Sequence, residues 1–330
     1  MKDFQELPKV RDSLSFLYVE HARVDQMDKA IALHRIGAGG RHQVIPVPIA
    51  SLQMLMLGPG VSITHAAVRA LADNSCLVAW CGEEGVRLYA FGIGGTRSAR
   101  NLVLQARLAS NDRTRLAVVE RMYRKRLGPI EAGCTLQQIR GMEGIRVREA
   151  YAAASRATGV TWRGRSYKRD RWASGDPVNR ALSAANSCLY GLCHAAVLAT
   201  GFSPALGFVH TGKQLSFVYD IADLYKADLT IPTAFESARD GPDEIERRVR
   251  IALRNRFREG RILQRILPDI QDCLSIDAKD VTPIATQGDD YDKDPALPGT
   301  LWDPQGDVPG GVAYGDTPSG NGETSSPQRD

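Results

Sequence analysis

The sequence lacks the short motifs that mark several common classes of enzyme. Its 330 residues contain no phosphate-binding Gly-x4-Gly-Lys-Ser/Thr loop, no zinc-protease His-Glu-x-x-His and no serine-hydrolase Gly-x-Ser-x-Gly. Cysteine is sparse: none of the six forms Cys-x-x-Cys, and no Cys/His cluster has zinc-finger spacing. No apolar secretory segment stands near the N-terminus, so we expect a reducing, cytoplasmic location.

Long uncharged runs are rare as well. Residues 181–209 lack Asp, Glu, Lys and Arg over a length that spans a bilayer. The run is Ala-rich and includes Asn186, His194 and Pro204. It therefore predicts a buried central helix surrounded by other helices, and no membrane association.

The overall composition is that of a soluble globular protein. Hydrophobic residues make up 43% and charged residues 24% of the chain. These values exclude a mostly disordered chain, a collagen-like chain and a small disulfide scaffold. The length predicts about two domains, each with its own core.

Charge is unevenly distributed, although the formal net charge is only +4. Residues 281–330 hold nine acidic and two basic side chains, whereas residues 97–171 hold 18 basic and six acidic ones. A compact basic body favours a polyanionic partner, nucleic acid first. The alternative is a solvated basic face.

The pattern of apolar residues predicts an α+β fold with strands before helices. We expect a β-rich N-terminal domain over residues 1–93, an α-helical domain over 94–280 and an acidic Pro/Gly-rich tail over 281–330 that is disordered when alone. Strands are predicted at 15–20, 30–34, 44–49, 51–57, 76–80 and 86–91, and a short helix at 65–72. Helices are predicted at 97–127, 135–157, 177–200, 216–228, 233–239, 243–258 and 261–275.

One segment combines an imidazole with two carboxylates. Asp220 and Asp223 are three residues apart in a predicted helix, so their carboxylates are expected on one face, and His210 precedes that helix by a short loop. Imidazole plus carboxylates is a plausible ligand set for a divalent ion. The alternatives are acids that favour a helix N-terminus, or a solvated surface acid at Asp220.

A further acid, Glu143, is expected at the start of a helix between Gly141 and Gly144. Glycines cost helix propensity, and close approach of another backbone or of a substrate is one reason to retain them. The alternative is a helix cap with a local Glu143–Arg146 pair.

Two segments interleave or concentrate basic side chains. Residues 162–172 alternate bases with aromatics, which suits phosphate contacts plus base stacking, and residues 243–258 and their continuation are rich in arginine. Each is also typical of a solvated face, but together with the segment from Arg97 they favour polyanion binding.

Taken together, these segments resemble the CRISPR-associated spacer integrase family, CRISPR-associated protein one, of the type I-E kind. The resemblance covers about residues 13–278. Its most specific segments are GMEGIRVREAYA, SAANSCLYGLCHAAVLATGFSPALGFVHTGK and LSFVYDIADLYK, with support from VPIASLQMLMLGPGVSITHAAVR and GVRLYAFG.

The resemblance implies that the helical domain is catalytic and binds Mg²⁺ or Mn²⁺ through Glu143, His210 and Asp223. Asp220 would be a nearby catalytic acid that assists. The residues implied to contact DNA are Arg87, Arg165, Tyr167, Trp172, Lys213, Arg247 and Arg250.

The implied reaction is transesterification, in which a DNA 3′-hydroxyl attacks a backbone phosphate and a foreign DNA fragment, the prespacer, joins the CRISPR repeat array. The implied assembly is a heterohexamer of two homodimers flanking CRISPR-associated protein two, on double-stranded or branched DNA. Two other hypotheses stay open at this point: a stand-alone metal-dependent nuclease for branched DNA, and a DNA-binding protein without catalysis.

Overall fold

The computed structural model describes residues 16–28, 30–37, 40–49, 52–85, 87–92, 99–165 and 176–275. Strands fill the first part of these residues and helices the second, which confirms the predicted α+β class and the order of its parts. The tail over 281–330 lies outside the described residues. The boundaries at 93 and 280 also fall outside them and stay predictions.

The strands form two four-stranded sheets. The strands are β1 (Phe16–Val19), β2 (Ala22–Met27), β3 (Ala30–Ile36), β4 (His42–Pro48), β5 (Met54–Leu57), β6 (Ser62–Ile63), β7 (Leu77–Cys81) and β8 (Leu88–Gly92). One sheet has the order β1-β5-β7-β8, in which β8 alone is antiparallel to its neighbour. The other has the order β4-β3-β2-β6, so the proline-containing β4 lies at an edge, as its prolines predict.

The short helix α1 (His65–Asp73) follows β6. Thr64 caps its N-terminus, as predicted, and accepts a hydrogen bond from the backbone N–H of Ala67 at 3.3 Å. Ala67 and Leu71 bury the inner face of the helix against Val24 and Ile31 of the second sheet. This packing gives the strand-rich part a core of its own.

Eight further helices follow among the described residues. They are α2 (Arg100–Ser110), α3 (Asp112–Leu127), α4 (Leu136–Thr158), α5 (Pro177–Ala199), α6 (Ser216–Ala222), α7 (Lys226–Arg239), α8 (Ile245–Glu259) and α9 (Ile262–Leu274). The single helix predicted over 97–127 is wrong, because the chain breaks at Asn111. The Asn111 side chain accepts the N–H groups of Arg113 and Thr114 and so starts α3.

The predicted boundary between helices 216–228 and 233–239 is also wrong. The break lies at 223–225, and α7 runs without interruption through Pro232. The proline removes one backbone donor, but Ile231, Ala234 and Phe235 bury this part of α7 in a core shared with α5 and α8. Tertiary packing therefore outweighs the local helix-breaking signal.

Helix α5 is the predicted buried central helix, and α6, α7, α8 and α9 pack around it. It is long and apolar enough to cross a membrane, but 72% of its most apolar window is buried inside the protein, as in a core helix. Near its C-terminus Ala195, Leu198 and Ala199 pack on the first sheet, against side chains such as Met54 and Leu77. This contact joins the strands to the helices.

Candidate functional site

Asp220 is the fifth residue of α6, and its carboxylate holds the preceding loop. The carboxylate accepts the backbone N–H groups of Phe208 at 2.6 Å, Val209 at 3.1 Å and His210 at 2.8 Å. The residue is fully buried. Asp220 is therefore neither a solvated acid nor a helix N-terminal acid, and both of those alternatives are wrong.

The same carboxylate orients the imidazole of His210. His210 Nδ1 lies 2.7 Å from Asp220 Oδ1, and this hydrogen bond raises the pKa of His210 despite partial burial. The other ring nitrogen, Nε2, lies 3.8 Å from Asp223 Oδ2. When Nδ1 donates to Asp220, the Nε2 lone pair is left for a ligand on the side of Asp223.

Gly207 makes the tight path of this loop possible. A Cβ at this position would lie 2.3 Å from the backbone oxygen of His210 and 2.8 Å from Cβ of Ser216. On the outer side, the guanidinium of Arg115 donates to the carbonyls of Gly207 and Phe208. The imidazole thus stands on a loop that is fixed from both sides.

Asp223 lies just past the end of α6, because that helix has only seven residues. Its Oδ1 accepts from Lys226 Nζ at 2.6 Å, and its Oδ2 lies 3.5 Å from Arg126 Nη1. The helix that was predicted to carry both acids therefore contains Asp220 but ends before Asp223. His210 contacts both acids, one with each ring nitrogen.

Glu143 comes from α4, where it is the eighth residue. The N-terminus of α4 is closed by a capping box of Thr135 and Gln138, so the interpretation of Glu143 as a helix cap is wrong. The local pair with Arg146 is present at 3.5 Å. Glu143 Oε1 also lies 3.4 Å from Arg126 Nη1, while Oε2 is buried and has no hydrogen-bond partner among the described residues.

Arg126, on α3, is one of two cationic residues of this site that the sequence did not reveal, the other being Lys226. Only 3% of the Arg126 side chain is exposed, and one nitrogen, Nη1, contacts the carboxylates of both Glu143 and Asp223. The guanidinium stacks 4.4 Å above the ring of Tyr123, and Nε donates to the carbonyl of Met122. In sequence Arg126 is one of several bases near the end of α3, and no local signal distinguishes it.

Two of the three predicted ligands, Glu143 and Asp223, contact Arg126, and the third, His210, lies beside Asp223. Within the described part of the chain, no three His, Cys, Asp or Glu side chains are grouped closely enough to hold a metal ion as they stand. Glu143 and Asp223 instead approach the same guanidinium nitrogen, and His210 approaches Asp223. These three side chains are the groups here with the chemistry to ligate a divalent ion.

Two of the predicted DNA-contacting residues, Arg87 and Arg250, line one cleft. It has a volume of about 580 Å³ and lies between the β7–β8 side of the first sheet and the helices α5 and α8. Arg87 has a positive φ of 65°, and its backbone packs on α5 where Gly191 leaves room, since a Cβ there would lie 3.2 Å from the Arg87 nitrogen. Trp80, Tyr89 and hydroxyls of α5 also line the cleft, as do Glu83 and Glu246, and Arg250 lies 3.7 Å from Glu83.

The other predicted DNA contacts are distributed differently. Lys213 is exposed on the loop between His210 and α6, and Arg247 is exposed and paired with Glu244 at 3.0 Å. The Arg165 guanidinium donates to residues of α5, namely Asn179 and Ser183. Tyr167 and Trp172 lie outside the described residues.

The glycines beside Glu143 leave an open helix surface. A Cβ at Gly141 or Gly144 would meet nothing within 4 Å, and both residues are exposed. No other backbone segment of the described residues therefore packs against Gly141 or Gly144. The side of α4 that carries them is accessible from outside.

Comparison with known proteins agrees with this fold. The family model for CRISPR associated protein Cas1 matches residues 17–133 and 124–253. CRISPR-associated endonuclease Cas1 2 of Thermus thermophilus is 51% identical over 322 residues, which is 97% of this chain and 96% of the relative. CRISPR-associated endonuclease Cas1 of Escherichia coli is 43% identical over 295 residues, 89% of this chain and 95% of the relative.

A solved structure is similar as well. The crystal structure of a TtCas1–DNA complex superposes with a TM-score of 0.73 at 54% identity, covering 81% of this chain and 99% of that chain. The strand-then-helix fold and the sequence similarity over nearly the full chain define one protein class. The chain belongs to the CRISPR-associated Cas1 family.

Proposed function

We propose that this protein is a metal-dependent DNA integrase and endonuclease of CRISPR adaptation. It joins the 3′-hydroxyl ends of foreign DNA fragments to the repeat array by transesterification. The observation that carries this proposal is the set of contacts that links Glu143, Asp223 and His210: Arg126 Nη1 lies within 3.5 Å of both carboxylates, and His210 Nε2 lies 3.8 Å from Asp223 Oδ2. The endonuclease names of the relatives and the DNA in the similar crystal structure support it.

The three side chains fit a hard divalent ion, Mg²⁺ or Mn²⁺. Two carboxylates supply oxygen ligands and His210 Nε2 supplies a nitrogen, which Mn²⁺ accepts more readily than Mg²⁺. The buried Oε2 of Glu143, without a partner among the described residues, is the orphaned acceptor expected of such a ligand. A divalent ion held there polarises a phosphoryl oxygen and stabilises charge on the entering and leaving oxygens.

The chain's own residues position the reactants. The oxygen of a DNA 3′-hydroxyl forms a bond to phosphorus as the bond from phosphorus to another 3′-oxygen breaks, and that oxygen takes up a proton. Exposed Lys213 lies on the His210 loop and can neutralise the attacked phosphate. Asp220 is a positioning residue, because its carboxylate is fully enclosed by the His210 loop.

DNA contacts extend from this point over basic surfaces. Arg87 and Arg250 in their cleft, together with exposed Arg247, bind backbone phosphates of any sequence. We propose Arg165, Tyr167 and Trp172, which follow α4 in the sequence, as further DNA contacts. Open space over Gly141 and Gly144 allows a DNA backbone to approach Glu143.

The assembly we propose is a cytoplasmic heterohexamer of two homodimers with CRISPR-associated protein two. Leu297, Leu301 and Trp302 interrupt the acidic tail, which suits docking on a basic partner. The tail is therefore dispensable for folding but needed for full affinity in the complex. Deletion of residues 281–330 that leaves assembly unchanged would show the tail to be a passive extension.

The test uses a labelled DNA fragment with 3′-hydroxyl ends, a supercoiled plasmid that carries the repeat, CRISPR-associated protein two and Mn²⁺. We expect the label to become covalently attached at the ends of the repeat. Cleavage of branched DNA without attachment would instead identify a stand-alone nuclease. Binding without either product would identify a non-catalytic DNA-binding protein. A fragment with 3′-deoxy ends is the matched control and must give no joining.

A further inference from the structure

The guanidinium of Arg126 is a permanent charge fixed between two proposed metal ligands. Its Nη1 lies 3.4 Å from Glu143 Oε1 and 3.5 Å from Asp223 Oδ2. The Tyr123 ring and the Met122 carbonyl hold the group from the other side, and 3% of the side chain is exposed. Arginine does not lose its proton in proteins, so this charge is present at every working pH.

Two more cations contact the same two carboxylates. Arg146 lies 3.5 Å from Glu143 and 3.9 Å from the exposed Asp228, and Lys226 Nζ lies 2.6 Å from Asp223. Three cationic side chains thus contact the two carboxylates of Glu143 and Asp223, whereas Asp220 is buried against the His210 loop. A site without excess negative charge attracts a divalent ion weakly, because ligand charge sets much of the affinity of carboxylate sites.

We propose that Arg126 is a positioning residue that keeps the Glu143 and Asp223 carboxylates together and holds down their affinity for a divalent ion until DNA is bound. This inference rests on the proposed function. Without a cation between them, the two carboxylates repel each other. With Arg126 between them they stay close, but an entering ion meets a fixed positive charge.

DNA phosphates restore the missing negative charge. A phosphate near the ligands adds charge that the protein alone does not supply, and its oxygens can join the ion's ligand shell. Ion binding and DNA binding therefore favour each other, and by linkage each raises the affinity for the other by the same factor. The protein without DNA consequently carries little bound ion, which limits cleavage by an unassembled site.

The test is a titration of the full-length protein with Mn²⁺, followed by the paramagnetic resonance signal of the free ion. We expect Arg126→Met to bind Mn²⁺ at least about tenfold more tightly than wild type in the absence of DNA. Arg126→Lys keeps the charge and should stay within about threefold of wild type. Arg124→Met, which removes an exposed arginine of the same helix, is the matched control and should leave the affinity unchanged.

A second titration needs no variant at position 126, so it decides the question even where Arg126→Met does not fold. Wild type with a short DNA duplex should bind Mn²⁺ at least about tenfold more tightly than without it, after subtraction of the ion bound by Asp223→Asn with the same duplex. Unchanged affinity with DNA, or no gain in a folded Arg126→Met, overturns the inference. If no Mn²⁺ site depends on Asp223 even with DNA, the proposed metal site itself is wrong.

Discussion

His210 Nδ1 lies 2.7 Å from Oδ1 of the fully buried Asp220. The same carboxylate accepts the backbone N–H of His210, so it fixes both the ring and the loop that carries it. Asp220 therefore determines which ring nitrogen of His210 faces Asp223, although Asp220 itself contacts the other ring nitrogen. Such an indirect arrangement is typical of histidine ligands, whose second nitrogen donates to a carboxylate.

Asp220→Asn should destabilise the protein and disorder the His210 loop. An amide has one oxygen where the carboxylate has two, so either the N–H groups of Phe208 and Val209 or those of His210 lose their acceptor. We expect a loss of at least about 2 kcal/mol in the free energy of unfolding, measured with urea. Asp223→Asn, at a partly exposed position, should lose much less. Equal losses for the two variants would contradict the positioning role of Asp220.

Arg87→Ala and Arg250→Ala should each weaken binding to DNA of any sequence. Each lost phosphate contact reduces the slope of log affinity against log salt by about one unit. The measurement is a filter-binding titration at several salt concentrations. Arg69→Ala removes an exposed arginine outside the cleft, and its slope should match wild type. Unchanged slopes for the cleft variants would remove Arg87 and Arg250 from the interface.

Two glycine substitutions should have opposite effects. Gly144→Ala places a methyl group in open space on α4 and should raise the free energy of unfolding by about 0.5–1 kcal/mol. Gly207→Ala forces its methyl group into the His210 carbonyl and should cost about 1–3 kcal/mol. Urea unfolding measures both changes. A stabilised Gly207→Ala would show that the loop does not need its tight path.

Acid should destabilise the protein in part through His194. Burial lowers the pKa of His194 to about 4, whereas an exposed histidine has a pKa of 6.5. Below pH 6.5 the unfolded chain therefore binds a proton that the folded chain rejects, so stability falls as the pH drops from 6.5 to 4. The loss from this group approaches about 3 kcal/mol.

His194→Leu should remove that part of the pH dependence. The variant keeps an apolar group beside Phe91 on the helix that packs on the first sheet. Urea unfolding at several pH values between 7 and 4 compares it with wild type and with the exposed-histidine variant His65→Leu. Parallel curves for wild type and His194→Leu would contradict the assignment.

Sequence patterns predicted the fold where a local signal exists. Apolar runs located β5 and β7, and Thr64 located the start of α1. Strand β2 was missed because its sequence, ARVDQM, places only Ala22 and Val24 fully inside, and its pairing with β3 supplies the rest of its stability. The break between α6 and α7 was misplaced because buried packing carries α7 through Pro232.

The candidate site, like the fold, has features that the sequence predicted and features that it did not. The spacing of His210, Asp220 and Asp223 suggested a metal site from the residues themselves, whereas Glu143 joined the ligand set only through the resemblance to the family. The separation of Asp220 from Asp223 is not visible, since it depends on where a loop folds back. Arg126 lies among Arg121, Arg124 and Lys125, and only the three-dimensional packing distinguishes the buried arginine from its neighbours.

The most direct test of the account is strand transfer by Asp223→Ala. With CRISPR-associated protein two, Mn²⁺, a labelled fragment and a repeat-bearing plasmid, wild type should attach the fragment to the repeat. Asp223→Ala should give only background joining, while its DNA affinity stays within about threefold of wild type because phosphate contacts supply most of the binding. Joining at a near wild-type rate by the pure, folded variant would contradict the assignment of this site.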